Sequence, residues 1–229
     1  MSVILYSTAS VIANGVKVLV YGAAGSGKTR LLATTPSPVI FSCESGLLSL
    51  RQYNIPFAQI TTLYDLQNAF DWISSSYEAR QFATVCLDSV SEILEVLLKS
   101  ERSTKKDPRQ AYGEVLVQGT DLIRRFRDLP NKHIVLIAKE EVGKDENSRM
   151  FFQPAFPGAK LGPAVPYYPD EVFRLVPFIE PQSGQAYSML RCHPEPQTVA
   201  KDRSGALAAW EPPDLTAIFN KIAQTGALG

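Results

Sequence analysis

Eight residues, GAAGSGKT from Gly22 to Thr29, carry the pattern G-x-x-x-x-G-K-[ST]. That spacing suits one task, holding a chain of phosphates. Gly22, Gly25 and Gly27 let backbone N–H groups turn toward one anion, and the amino end of the next helix adds its positive pole. Ala23, Ala24, Ser26 and Arg30 complete the stretch that would wrap a nucleotide. Lys28 would reach the β- and γ-phosphates, and Thr29 would ligate Mg²⁺. A glycine-rich turn of no consequence is the plainer alternative. The motif lies between an apolar β pattern, VKVLVYG, and a helical one, KTRLLATT, the context its chemistry requires.

A Mg²⁺ site also needs a carboxylate at the end of a neighbouring strand. The run TVCLD offers Asp88, which could instead cap the helix that follows. Hydrolysis needs a second carboxylate to activate water. In VIFSCESGLLSL, Glu44 stands two residues beyond an apolar run, at the sheet edge where open α/β folds bind ligands. Glu92, one turn into the helix after Asp88, is the rival base. Other P-loop chemistries fit less well. TKKD, residues 104–107, has the letters of a guanine-reading motif but no apolar strand before it. The acid that AAA+ proteins place directly after the Asp is Ser89 here, and no arginine-bearing kinase lid is evident.

Far along the chain, AKDRSGA reads as the end of a short strand that stops at Gly205. Alternate strand residues share a face, so Lys201 and Arg203 project together and call for something anionic opposite them. A solvated strand end, or pairing with Asp202 and Glu211, is the plainer alternative.

These residues need a scaffold. At 229 residues, with 45% hydrophobic and 20% charged side chains, the chain reads as one domain, residues 1–229, of ordinary globular composition. Lys plus Arg and Asp plus Glu balance at 23 each, so binding to a polyanion would depend on local patches. The three cysteines form no C-x-x-C pair. No basic residue precedes Lys17, as a signal peptide would require, and no apolar run approaches the roughly 20 residues of a membrane span. A cytoplasmic protein without a membrane partner is expected.

Five β patterns end at Gly22, Cys43, Ile60, Asp88 and Lys139 and alternate with helical ones, which predicts a parallel sheet covered on both faces. Thr62 should cap a helix whose Leu63, Leu66, Phe70 and Ile73 share a face. Residues 153–170, with five prolines and two glycines, should hold no regular structure. EVFRLVPFI and AYSMLRC predict an antiparallel hairpin, TVAKD a strand, and PPDLTAIFNKIA a helix that starts at a proline.

FSCESGL, VCLDSV and LIAKE together resemble the RecA-like ATPase core, and AKDRSG is similar to its late K-x-R/K-x-G element. DPRQAYGEV, RDLPNKHIVLIAKEE, PGAKLG, YYPDEVF and KDRSGAL look closer still to the Sak-type ATP-binding proteins of bacteriophages. The likeness runs from about Val16 to Ile222. It implies an α/β fold: a RecA-like P-loop NTPase core of mostly parallel sheet with flanking helices and a C-terminal antiparallel hairpin. It implies an ATPase, with ATP and Mg²⁺ as cofactors, acting on single-stranded DNA in recombination by annealing or strand pairing, inside the host cytoplasm. The partners it implies are a homo-oligomer with ATP at the subunit interface and a phage single-strand binding protein. Lys139 falls where RecA has its γ-phosphate sensor, a glutamine. Lys201 and Arg203 fall where such cores meet a neighbour's ATP.

Two DNA-facing loops are also implied. One spans residues 99–109, where Lys99, Arg102, Lys105, Lys106 and Arg109 face only two acids. The other is the proline-rich segment with Lys144, Arg149 and Lys160 near Phe156, Tyr167 and Tyr168. Cations beside stacking aromatics suit sequence-tolerant single-strand binding, although solvated surface would serve equally for either loop. Arg51 or Tyr53 could stack on adenine. DNA packaging, unwinding, or nucleotide-dependent DNA binding with negligible hydrolysis remain the alternative functions.

Overall fold

The computed structural model describes residues 15–44, 47–104, 108–144, 147–157 and 161–225. Its centre is β1 (Lys17–Gly22), every residue of which is buried. Such a strand needs cover on both faces, and its alternating side chains feed two cores. Leu19 and Tyr21 join Phe41, Leu87, Leu136 and Ala138 on one face, while Val18 and Val20 join Ile40, Cys86, Val135 and Ile137 on the other. The remaining core strands are β2 (Pro38–Ser42), β3 (Phe57–Gln59), β4 (Thr84–Asp88), β5 (His133–Lys144) and β7 (Glu171–Ile179). The first face is covered by α2 (Leu63–Ser75), α3 (Val90–Thr104) and α4 (Pro108–Arg127). The second is covered by α1 (Lys28–Leu31) and α6 (Leu215–Thr225).

With β8 (Ala186–Arg191) and β10 (Trp210–Glu211), the sheet runs β10–β8–β7–β1–β5–β4–β2–β3, and its six strands from β7 to β3 are all parallel. One strand, β5, separates the P-loop strand from the strand that ends in Asp88. This is the RecA-like P-loop architecture expected from the sequence. The C-terminal hairpin is also present: β7 pairs antiparallel with β8 (Ala186–Arg191), and β10 (Trp210–Glu211) extends it. Thr62 caps α2 through a reciprocal box with Asp65, and Leu66 and Ile73 are buried below it.

Four local expectations are corrected. β5 does not stop near Lys139 but continues to Lys144 and turns back as β6 (Met150–Ala155), an antiparallel arm of six residue pairs. The proline-rich segment is therefore partly regular, with α5 (Leu161–Ala164) and a 3₁₀ turn (Val165–Tyr167) after the arm. Pro154 fits in β6 because its other neighbour is only a short bridge between Phe152 and Thr198. The TVAKD strand shrinks to β9 (Lys201–Asp202), paired with the first residues of β7. Finally, α6 begins at Leu215, with Asp214 rather than a proline accepting from the Ala217 amide.

Candidate nucleotide site

Parallel strands in register bring their carboxyl ends to one edge. Gly22 is level with Lys139, and Ser42 with Asp88. Glu44 follows two residues after Ser42, its amide donating to the Ser42 hydroxyl at 3.0 Å. Glu44, Asp88, Lys139 and the P-loop thus come from four different strands and line one cleft of about 720 Å³. That volume lies within the range usual for small-molecule sites.

Gly25 and Gly27 hold φ of 76° and 99°, the left-handed region that a side chain resists. Gly22 needs its bareness for another reason: a Cβ there would lie 2.6 Å from the Leu175 carbonyl oxygen of β7. The Lys28 ammonium donates to the carbonyls of Gly22 and Ala23, each at 2.8 Å, so it bridges the mouth of the loop. Burial lowers its pKa, opposed by the nearby carboxylates of Asp88, Glu44 and Glu140. The Thr29 hydroxyl donates to Asp88 Oδ2 at 2.8 Å. Asp88 is buried, and desolvation lifts its carboxyl to about 6 despite that hydrogen bond.

A hydroxyl and a nearly buried carboxylate in contact are hard oxygen donors, the set Mg²⁺ prefers. Thr29 and Asp88 fit that ion, which when bound to a nucleotide would draw charge from the phosphate oxygens. The chain's own residues do the rest. The loop amides and Lys28 are placed to hold phosphate, and Glu44, exposed on the same cleft, is free to accept a proton from water.

Glu92 is placed otherwise. Its carboxylate pairs with the Lys139 ammonium, which also contacts Glu95 at 2.9 Å. Lys139 lies on the cleft wall as expected, but its charge is held by two acids of α3. Glu140 is the site residue that sequence reasoning missed. It lines the cleft and is gripped by Arg174 at 2.7 and 3.3 Å. The guanidinium of Arg174 also lies 3.5 Å from the centroid of Phe152 on the β5–β6 arm. A second acid directly after Lys139 was the available signal.

On the outer side of the P-loop, Gly25, Ser26, Gly27 and Arg30 border another cavity. Tyr53 lines it, as does Tyr187 from β8, whose approach no local sequence signal announces. Arg51 instead lines a separate cavity with Arg30, Leu48 and Gln52.

Lys201 and Arg203 do share a side, as their alternation suggested. The Lys201 ammonium donates to the carbonyls of Pro166 and Pro169, and Arg203 pairs with Asp170 at 3.1 Å. The plainer pairing with Asp202 and Glu211 does not occur. Asp202 caps its own turn, and Glu211 pairs with Lys221. Because Asp202 is level with Glu171, and Glu171 with Val18, the pair sits at the amino end of the sheet. Gly22 lies four residues further along β1, roughly 13 Å at strand rise. The two cations lie far from their own chain's P-loop.

Of the DNA candidates, Lys105, Lys106 and Lys160 lie outside the described residues, as does the side chain of Arg109. Lys144 is exposed at the end of β5. The expected aromatic set does not hold together as a surface. Phe156 is buried in the core, and Tyr168 lies under Arg124, whose guanidinium is 4.3 Å from the ring centroid; only Tyr167, at 77% exposure, is open.

Residues 14–204 match a family model described as an AAA domain. The chain belongs to that family. It is accordingly a P-loop domain of the AAA kind, in which Ser89 stands directly after Asp88 and the exposed acid of the cleft is Glu44. Among solved structures it is similar to a KaiC-like protein from the hyperthermophilic archaeon Pyrococcus horikoshii OT3. The two share 15% identity over 82% of this chain and 84% of that one, with a TM-score of 0.44. No curated protein matches the sequence. Among the described residues no helix is long and apolar enough to cross a membrane.

Proposed function

We propose that this domain hydrolyses ATP and couples the nucleotide cycle to single-stranded DNA, as a recombination protein of the phage Sak type that promotes annealing or strand pairing. One observation carries the hydrolytic part. Lys28, the Thr29–Asp88 pair and the unengaged carboxylate of Glu44 converge on a single cleft. The coupling is supported by the β5–β6 arm, which starts at Lys139 on the cleft wall and ends in exposed Lys144. Lys201 and Arg203 are too remote to serve their own P-loop, and their role is assigned in trans, at the γ-phosphate of a neighbour's ATP in a homo-oligomer. Lys139 would sense that phosphate by leaving Glu92 and Glu95. A phage single-strand binding protein is the natural partner.

The test is ATP turnover with and without single-stranded DNA. Stimulation by DNA supports the proposal. Turnover indifferent to DNA points to packaging or unwinding machinery, and ATP-dependent DNA binding with negligible turnover to a loading module.

A further inference from the structure

At the amino end of the sheet two carboxyl groups meet. Glu171, the first residue of β7, is 1% exposed, and Asp202 lies directly opposite it on β9. The Asp202 carboxylate closes the turn after β9: Oδ1 accepts from the Ser204 hydroxyl at 2.5 Å and the Gly205 amide at 2.9 Å, and Oδ2 accepts from the Leu207 amide at 3.0 Å. Glu171 helps through one oxygen, which accepts from the Ser204 amide at 3.2 Å. Its other oxygen, Oε2, is buried without a donor to satisfy it. The Glu171 and Asp202 carboxyls are nevertheless within hydrogen-bonding reach of each other. Two carboxylates cannot bond to each other, but a carboxylic acid and a carboxylate can. A buried polar atom left unsatisfied is costly, and one proton on Oε2 removes that cost.

We propose that Glu171 is a standing carboxylic acid whose proton, donated to Asp202, latches the Lys201–Gly205 turn closed, and that loss of this proton at alkaline pH opens the turn. The surroundings decide which partner keeps the proton. Asp202 accepts the turn's donors and is held below its usual range, whereas burial and the neighbouring charges of Asp202 and Asp170 push Glu171 up to about 8. Lys201 of β9 acts on Glu171 only through space, since its ammonium is held by the Pro166 and Pro169 carbonyls. From the segment after β8, the Cys192 thiol, kept neutral by burial, and the ring of His193, 3.7 Å from Asp202 Oδ2, complete the ring of titratable groups. Arg203 is engaged by Asp170. Lys201 and Arg203 ride on this turn, so the latch sets where both cations stand. The latch closes the turn whether or not either cation meets a nucleotide.

Linkage gives the sign. A carboxyl whose folded pKa is raised stabilises the fold fully below its unfolded value, near 4.5, and that contribution is lost as pH rises through about 8. Between those two values the opening constant of the turn should rise by about tenfold per pH unit, and above about 8, where the carboxyl is ionised in both states, it should level off. The experiment is a carboxyl NMR titration of the full chain, with Glu171 assigned by its loss in Glu171→Gln, alongside amide exchange at Gly205 and Leu207 corrected for base catalysis. The expected result is a protonated Glu171 at neutral pH and protection that falls as pH rises toward about 8 and levels off beyond it. Glu171→Gln, which keeps a donor toward Asp202, should hold protection across the range. An ionised Glu171 at neutral pH would overturn the proposal, as would protection that ignores pH or a transition abolished by His193→Gln. The wild-type titration decides the matter even if a variant does not fold.

Discussion

Replacing Glu44 by Gln changes one oxygen for an amide of the same shape. Glu44 is exposed and its side chain holds no part of the core, so thermal stability should not move. The carboxylate sits beside Lys28 and Asp88 in a cleft built for a polyanion. Removing its negative charge reduces repulsion toward phosphate, so ATP affinity should be unchanged or somewhat tighter. What is lost is the acceptor for the proton of the attacking water, and a positioned general base contributes about 10² to 10⁴ in rate. At about 1.4 kcal/mol per decade this is roughly 3 to 5 kcal/mol of activation free energy. Nucleotide affinity from a fluorescent analogue, and single-turnover release of phosphate, separate binding from chemistry. Near wild-type turnover in Glu44→Gln would refute the assignment and promote Glu92, which Lys139 would free on turning to the phosphate.

If Arg203 acts in trans, Arg203→Ala and Lys28→Ala proteins, each inactive alone, should regain part of the ATPase activity when mixed; co-assembly without recovery at any ratio counts against it. Single-strand affinity should fall with salt at a log–log slope of about −0.7 per neutralised phosphate. Alanine at Lys105 and Lys106, or at Lys144 and Lys160, should flatten that slope, and unchanged affinity and slope in every variant would remove both loops. Phe126 is fully buried against Phe41 and Phe70, with ring centroids 5.8 and 5.3 Å away. Phe126→Ala should cost about 3 to 5 kcal/mol in chemical denaturation, and a loss under about 1 kcal/mol would mean the core closes over the gap.

The site was readable from the sequence wherever chemistry and strand ends coincide. GAAGSGKT, Asp88 and Glu44 each follow an apolar run, and an apolar run that stops marks the sheet edge. What escaped was whatever depends on pairing between distant segments. Nothing near Lys139 announces that β5 runs on to Lys144, because the polar residues of an exposed arm look like a loop. Five prolines in 153–170 concealed a strand, since Pro154 is tolerated where only a short bridge lies beside it. The partners of Lys201 and Arg203 lie more than thirty residues away, at Pro166, Pro169 and Asp170, beyond the reach of any local pattern.

The register that lines up Gly22, Asp88, Lys139 and Glu44 also decides which changes of length this chain can survive. Strand side chains alternate with a period of two, so one residue added inside β2, β4 or β5 would turn the following functional side chain to the opposite face. The same addition at the other edge, where the chain enters those strands, meets no cleft residue and only lengthens a connection, an entropic cost that grows slowly with length. Homologues of this domain should therefore vary in length where strands begin and keep strict count where they end, so that gaps in an alignment would trace the edge of the sheet that holds the nucleotide.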